Sequence, residues 1–211
     1  MHLKALYMNG PQRLLLALLC CLWPLHTVAQ QTFSLPQYNA DRVRYTQNSM
    51  VALGSWSVLN IGVGLIVSSN TDGQTKYFHQ MNAIWNTANL GIAIAGYIHA
   101  RKAADSSNNW QQSIDAQNRI EKIYLINGAL DLTYIATGLY LRSRGDNTLD
   151  AGKADRLHGY GNSIIFQGGF LLLFDVVNYA IHYKHGHQLF SRFNRMDIGA
   201  GPGGVSMRYT F

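Results

Sequence analysis

Residues 45–71, 77–100, 123–141 and 159–183 contain no Lys, Arg or Glu, and their only acids are Asp131 and Asp175. A run of about 20 mostly apolar residues is long enough to cross a bilayer as a helix. An aspartate placed in hydrocarbon must find a partner, a proton or water. The expected fold is therefore an all-α membrane protein: a bundle of four transmembrane helices, with the lipid bilayer as its first partner.

The length of 211 residues fits one domain. Charged residues make up 13%, about half the share usual in a soluble domain. The mean hydropathy of −0.06 is low for four spans. The polar loops dilute it, and the spans themselves hold many Asn, Gly, Ser and Thr residues. Helices of that composition face one another more than they face lipid.

Residues 1–29 read as a signal peptide. Lys4 and Arg13 supply the positive start, residues 14–25 a short apolar core, and Thr27-Val28-Ala29 a small-residue exit. The alternative is an uncleaved anchor, for which the apolar core is short. Both cysteines, Cys20 and Cys21, lie in this segment. A mature chain would have no disulfide and no cysteine-metal chemistry. The net charge is +6, or +4 without Lys4 and Arg13. Its basic residues are scattered, which argues against nucleic acid and for anionic lipid head groups.

The domain plan is a signal at 1–29, a polar lead-in at 30–47, the four-helix domain at 48–188 and a tail at 189–211. Turn-forming residues 68–73 separate the first two spans. Leu59-Asn60 with Gly64-Leu65, and Leu130-Asp131 with Gly138-Leu139, stand in a similar order, as do His79 with Asn82 and His158 with Asn162. Two tandem helical hairpins would produce such parallel repeats; chance likeness among Gly- and Leu-rich segments is the alternative. Orientation is contradictory. A cleaved signal exports the N-terminus, whereas the loops then facing the cytoplasm carry fewer basic residues than the opposite side. The signal engages export first, so we expect the inner membrane, multi-pass, with an exported N-terminus. In the tail, Val205 to Phe211 alternates apolar and polar residues after a Gly-rich turn, as half of a possible β-hairpin does.

Asn82, Asn86 and Asn89 fall on one helical face. Asn60, then Asn127 with Asp131, then Asp175 with Asn178, form similar stripes on the other spans. Together these eight residues would make a polar seam. It is either an ion or proton path titrating at Asp131 and Asp175, or hydrogen-bonding glue in which Asp131 bonds Asn60 or Asn127. His182 and His185, three apart, are the candidate metal ligands; the bland alternative is a solvated, lipid-facing helix end. No nucleotide loop, hydrolase elbow or zinc-protease helix is present, so no cofactor is expected.

Phe78-His79-Gln80-Met81-Asn82 with Trp85 and Asn89, and Gln167-Gly168-Gly169-Phe170-Leu171-Leu172-Leu173-Phe174-Asp175, carry a resemblance. Over residues 45–185 the chain resembles an uncharacterised family of small four-helix membrane proteins from Gram-negative bacteria. The resemblance implies the four-span fold and brings no activity or site residue. The leading expectation is a non-enzymatic membrane protein of the bacterial cell envelope, structural or assembly-related, acting as a homo-oligomer or with other membrane proteins. The rival is a small transporter or ion-binding protein using Asp131 and Asp175; a membrane enzyme is the third.

Overall fold

A computed structural model describes residues 33–103, 109–193, 196–201 and 204–209. The signal-like segment 1–29 lies outside the described residues. Four helices follow one another: α1 (Leu35–Ser69), α2 (Gly73–Ala103), α3 (Trp110–Asp146) and α4 (Ala151–Phe193). Strands β1 (Met196–Gly201) and β2 (Gly204–Tyr209) then pair antiparallel, with Met196 opposite Tyr209.

Local chemistry sets the boundaries. Pro36 sits in the first turn of α1, where its missing N–H costs nothing. The reversal into α2 uses Gly73 at φ 58°, a left-handed conformation that favours glycine. The Asn109 side chain caps α3 by accepting from the Gln112 N–H at 2.8 Å. Asp150 does the same before α4, accepting from the Lys153 N–H at 3.0 Å.

The helices outrun the apolar stretches. The lead-in at 30–47 is expected to be a polar, non-spanning segment, yet helix begins already at Leu35, and α3 begins at Trp110, well ahead of the apolar stretch at 123–141. The reason lies in tertiary pairing. Tyr38, Asn39 and Arg42 of the first segment bond Ser113 and Gln117 of the second. Likewise α4 runs to Phe193, past the expected start of the tail. At 43 residues it is about 65 Å long, roughly twice the thickness of a hydrocarbon core.

Helices α1 and α2 form one hairpin, α3 and α4 the other, and α2 packs on α4 to join them. Glycines permit the closest approaches. A Cβ on Gly64 would meet the His79 carbonyl at 2.7 Å; one on Gly138 would meet the Gly161 carbonyl at 2.6 Å. Gly138 stands 74 residues after Gly64, and Ile165, which packs on it, 82 after Ala83, which packs on Gly64. Gly159 of α4, 82 residues after Tyr77 of α2, touches that same Tyr77. The two hairpins thus repeat each other about an axis along the bundle. That register puts Ser57, rather than Asn60, in the place of Asp131.

Two of the four helices, α1 and α4, are long and apolar enough to cross a membrane. Helices α2 and α3 fall short because His79, Gln80 and Asn82 to Asn89, and then Asn127, Asp131 and Thr133, interrupt them. The small apolar core consists of Leu53, Ala93 and Leu171, with Trp85, Phe170 and Phe174 against it.

Candidate functional site

The polar residues form three clusters along the bundle. The first centres on Gln167, which is fully buried. Its amide oxygen accepts from the Trp56 indole at 3.1 Å. Its amide nitrogen donates to Asn60 at 3.2 Å and to Asn82 at 3.0 Å. Asn82 also accepts from Ser163 at 2.6 Å. One α4 side chain therefore ties α1 and α2 to itself, while Trp56 stacks on Phe170 at 3.8 Å. Asn86 continues the cluster, donating to the Asn82 carbonyl at 2.8 Å.

The second cluster is the carboxyl pair. Asp131 of α3 and Asp175 of α4 are 2% and 5% exposed and lie next to each other. Oδ2 of Asp131 has no hydrogen-bond partner. Neither has the side-chain nitrogen of Asn89. Both acids, Asn89 and Asn127 line a cavity of about 490 Å³ between α2 and α3, walled by Trp85, Tyr134 and aliphatic side chains. A second groove, about 550 Å³, lies between α1 and α4 and holds Asn178, which is bonded to Ser49.

The third cluster closes the end where α1 and α3 begin. Gln117, fully buried, accepts from the Tyr38 hydroxyl at 2.7 Å and donates to the His182 carbonyl at 2.6 Å and to Glu121 at 2.9 Å. Arg42 donates to the Ser113 carbonyl at 3.0 Å. The His185 ring stacks on Tyr38 at 4.0 Å. Its Nε2 reaches the Tyr38 carbonyl at 3.0 Å, so that nitrogen carries the proton. The His182 ring is enclosed by Tyr45 and Tyr124, with neither nitrogen bonded.

A solvated end is therefore not what these histidines form: both are buried, whereas Lys184 and His187 beside them are exposed. Among the described residues no three His, Cys, Asp or Glu side chains gather as a metal set. His182 and His185 have no third ligand there.

Burial holds the His185 imidazole below its ordinary value of 6.5; Arg42 adds to this, while the Tyr38 carbonyl and Asp41 oppose it. The unfolded chain takes up a proton near pH 6.5 and the folded one only at lower pH. Stability from this group is thus full above 6.5 and is lost as pH falls. The midpoint of thermal unfolding in detergent should drop between pH 7 and pH 5. In His185→Asn, which keeps a donor for the Tyr38 carbonyl, the drop should be shallower.

Of the eight seam residues, the structure joins Asn60, Asn82 and Asn86 around Gln167. It gathers Asn89, Asn127, Asp131 and Asp175 at the cavity, and leaves Asn178 on the opposite side. The single continuous seam is thus divided. Asp131 neighbours Asp175, and its Oδ2 bonds neither Asn60 nor Asn127. The hub residue Gln167 was missed, although it lies eight residues before Asp175 on one helical stripe.

No curated protein and no solved structure matches the chain. Residues 52–176, from the first hairpin through Asp175, match a family model that takes in both carboxyls and Gln167. The chain belongs to the Family of unknown function (DUF6992).

Proposed function

We propose that this protein is an integral membrane protein of the bacterial cell envelope, with all four helices crossing the inner membrane. In this reading it is non-enzymatic, structural or assembly-related, and its polar clusters specify how the helices pack. The supporting observation is an inverted distribution of side chains. Among the described residues, 17 polar or charged residues are buried against 10 apolar ones, while 25 large apolar residues are exposed.

All of these exposed residues but Leu149, in the turn between α3 and α4, occupy 51–66 on α1, 84–98 on α2, 123–140 on α3 and 166–183 on α4. Each segment is 15 to 18 residues, about 22–27 Å, close to a hydrocarbon core. Matching glycine contacts put the four segments at one level. A water-soluble domain does not present such a belt, whereas lipid solvates it. Helices α2 and α3 belong to it because Asn82, Asn86, Asn89 and Asp131 are turned inward, away from the apolar belt.

Single cysteines at Asp72, Gln111, Asp150 and His187 test the topology, since residues 30–211 contain no cysteine. An impermeant reagent on intact cells should label Gln111→Cys and His187→Cys alone. Labelling of Asp72→Cys and Asp150→Cys alone would keep four spans and reverse the orientation. Labelling of all four would overturn the spans.

A second reading, ion or proton binding at the acids, is favoured by one observation. The carboxyl pair lines a cavity, and the Oδ2 of Asp131 finds no hydrogen-bond partner. On this reading Asp131→Asn should insert normally and abolish a proton or cation flux into proteoliposomes.

A further inference from the structure

We propose that the cavity between α2 and α3 binds a lipid-soluble amine that carries an oxygen acceptor close to its ammonium group. The proposal rests on the second reading above and names its ligand.

The cavity's polar end fixes the head group. The neighbouring carboxyls of Asp131 and Asp175 both line the cavity, and a carboxyl oxygen is a strong acceptor for a cationic N–H. Oδ2 of Asp131 is free to accept from an ammonium N–H. Asn89, 6% exposed, holds an unbonded side-chain N–H donor at the same cavity, which calls for an acceptor on the ligand. A buried amide donor left unpaired is costly. Trp85 and Tyr134, edge to face at 4.8 Å, flank the head position, and aromatic faces attract ammonium ions. Beyond these polar groups the lining is largely Ile, Leu, Met and Phe, which suits the hydrocarbon body of an organic cation.

The remaining walls fix the body. Ile84, Ile92, Ile123 and Leu130 line the cavity and are also exposed on the apolar belt, so the cavity opens sideways into the level of the hydrocarbon. A ligand entering there must dissolve in lipid. A volume of about 490 Å³ suits an organic molecule of moderate size.

The repeat gives each side a groove, about 490 Å³ between α2 and α3 and about 550 Å³ between α1 and α4, but only the first is lined by the acid pair. Phe170 and Phe174 line the groove between α1 and α4. The positions 82 residues earlier are Ala88 and Ile92, which line the cavity between α2 and α3. Ser57 and Ala93 stand where the second hairpin has Asp131 and Asp175. Smaller walls and the acid pair therefore coincide on a single face.

Propranolol, an aromatic amino alcohol, is the probe, titrated into the protein in phosphatidylcholine nanodiscs. Saturable binding of one molecule per chain is expected. Its neutral N-acetyl derivative, Asp131→Asn and the double variant A88F/I92F should each weaken binding by at least about tenfold. The double variant removes no charge or hydrogen bond and lies on the exposed face, so its thermal unfolding should match the parent's. Equal binding of the neutral derivative, or indifference to A88F/I92F, would overturn the site. An Asp131-dependent cation flux without propranolol binding would sink the amine site alone; absence of both would sink the reading beneath it.

Discussion

Replacing Gly138 or Gly161 with alanine should destabilise the bundle, while the same change at Gly91 or Gly169 should leave it as stable or more so. The first two glycines oppose each other where α3 crosses α4. A Cβ on Gly138 would lie 2.6 Å from the Gly161 carbonyl oxygen, and one on Gly161 would lie 2.7 Å from that of Gly138. Those are backbone atoms, so no side-chain rotation relieves the overlap and the helices must part. Overpacking of this kind costs about 1–3 kcal/mol. Gly138→Val, with more atoms at the crossing, should cost more and prevent the second hairpin from closing. At Gly91 and Gly169 nothing lies within 4 Å of the added atom, and alanine gains up to about 1 kcal/mol in helix propensity. Unfolding the purified variants by graded SDS addition reads all four. Destabilisation of equal size at all four positions would mean that helix flexibility, not close approach, explains the glycines.

The same crossing shows what can be read from the chain alone. Apolar runs locate all four helices because burial in any solvent, lipid or protein, demands an uninterrupted hydrogen-bonded backbone. Their ends were not legible. Residues 35–44 and 110–122 are polar, and what makes them helical is pairing across long separations, such as Tyr38 with Gln117 and Arg42 with Ser113. No local period carries that information. Helix-face spacing did place Asn82, Asn86, Asp131 and Asp175 inward, and all four are buried. Which partner each finds depends on register between helices. The repeat was visible in Gly64 and Gly138 because close backbone contact admits only glycine there. It was misread at Asn60, where the residue types drifted while the register did not.

Polar residues inside and apolar residues outside also explain why composition understates how apolar the surface is. Averages over a window count Asn82, Asn86 and Asn89 against α2, although these three are 4%, 0% and 6% exposed. In the four-span reading proposed above, the lipid-facing residues are Ile84, Ile92, Ile94 and Ile98 on the other face, each at least 48% exposed. Hydropathy sums over both faces of a helix, whereas solvation depends on one.

Gln167→Leu should be the most damaging substitution within the polar clusters. It keeps a buried side chain of similar volume but removes three hydrogen bonds, to Trp56, Asn60 and Asn82. Asn82 still accepts from Ser163, so its loss is partial. Asn60 loses its acceptor contact, although its amide nitrogen remains bonded to the Trp56 carbonyl. The Trp56 indole N–H loses the partner that α4 supplies. Single hydrogen bonds between membrane helices are worth about 0.6 kcal/mol on average and up to about 1.7, so the expected cost is about 2–3 kcal/mol. Gln167→Glu separates geometry from charge: it can still accept from Trp56 and, when protonated, donate to one of the two asparagines. That variant should unfold between the parent and Gln167→Leu at low pH, and lose ground as pH rises and the carboxyl ionises beside the Asn60 and Asn82 oxygens. If Gln167→Leu matched the parent in SDS unfolding, α1 would be held to α4 by the stacking of Trp56 on Phe170 rather than by the amide.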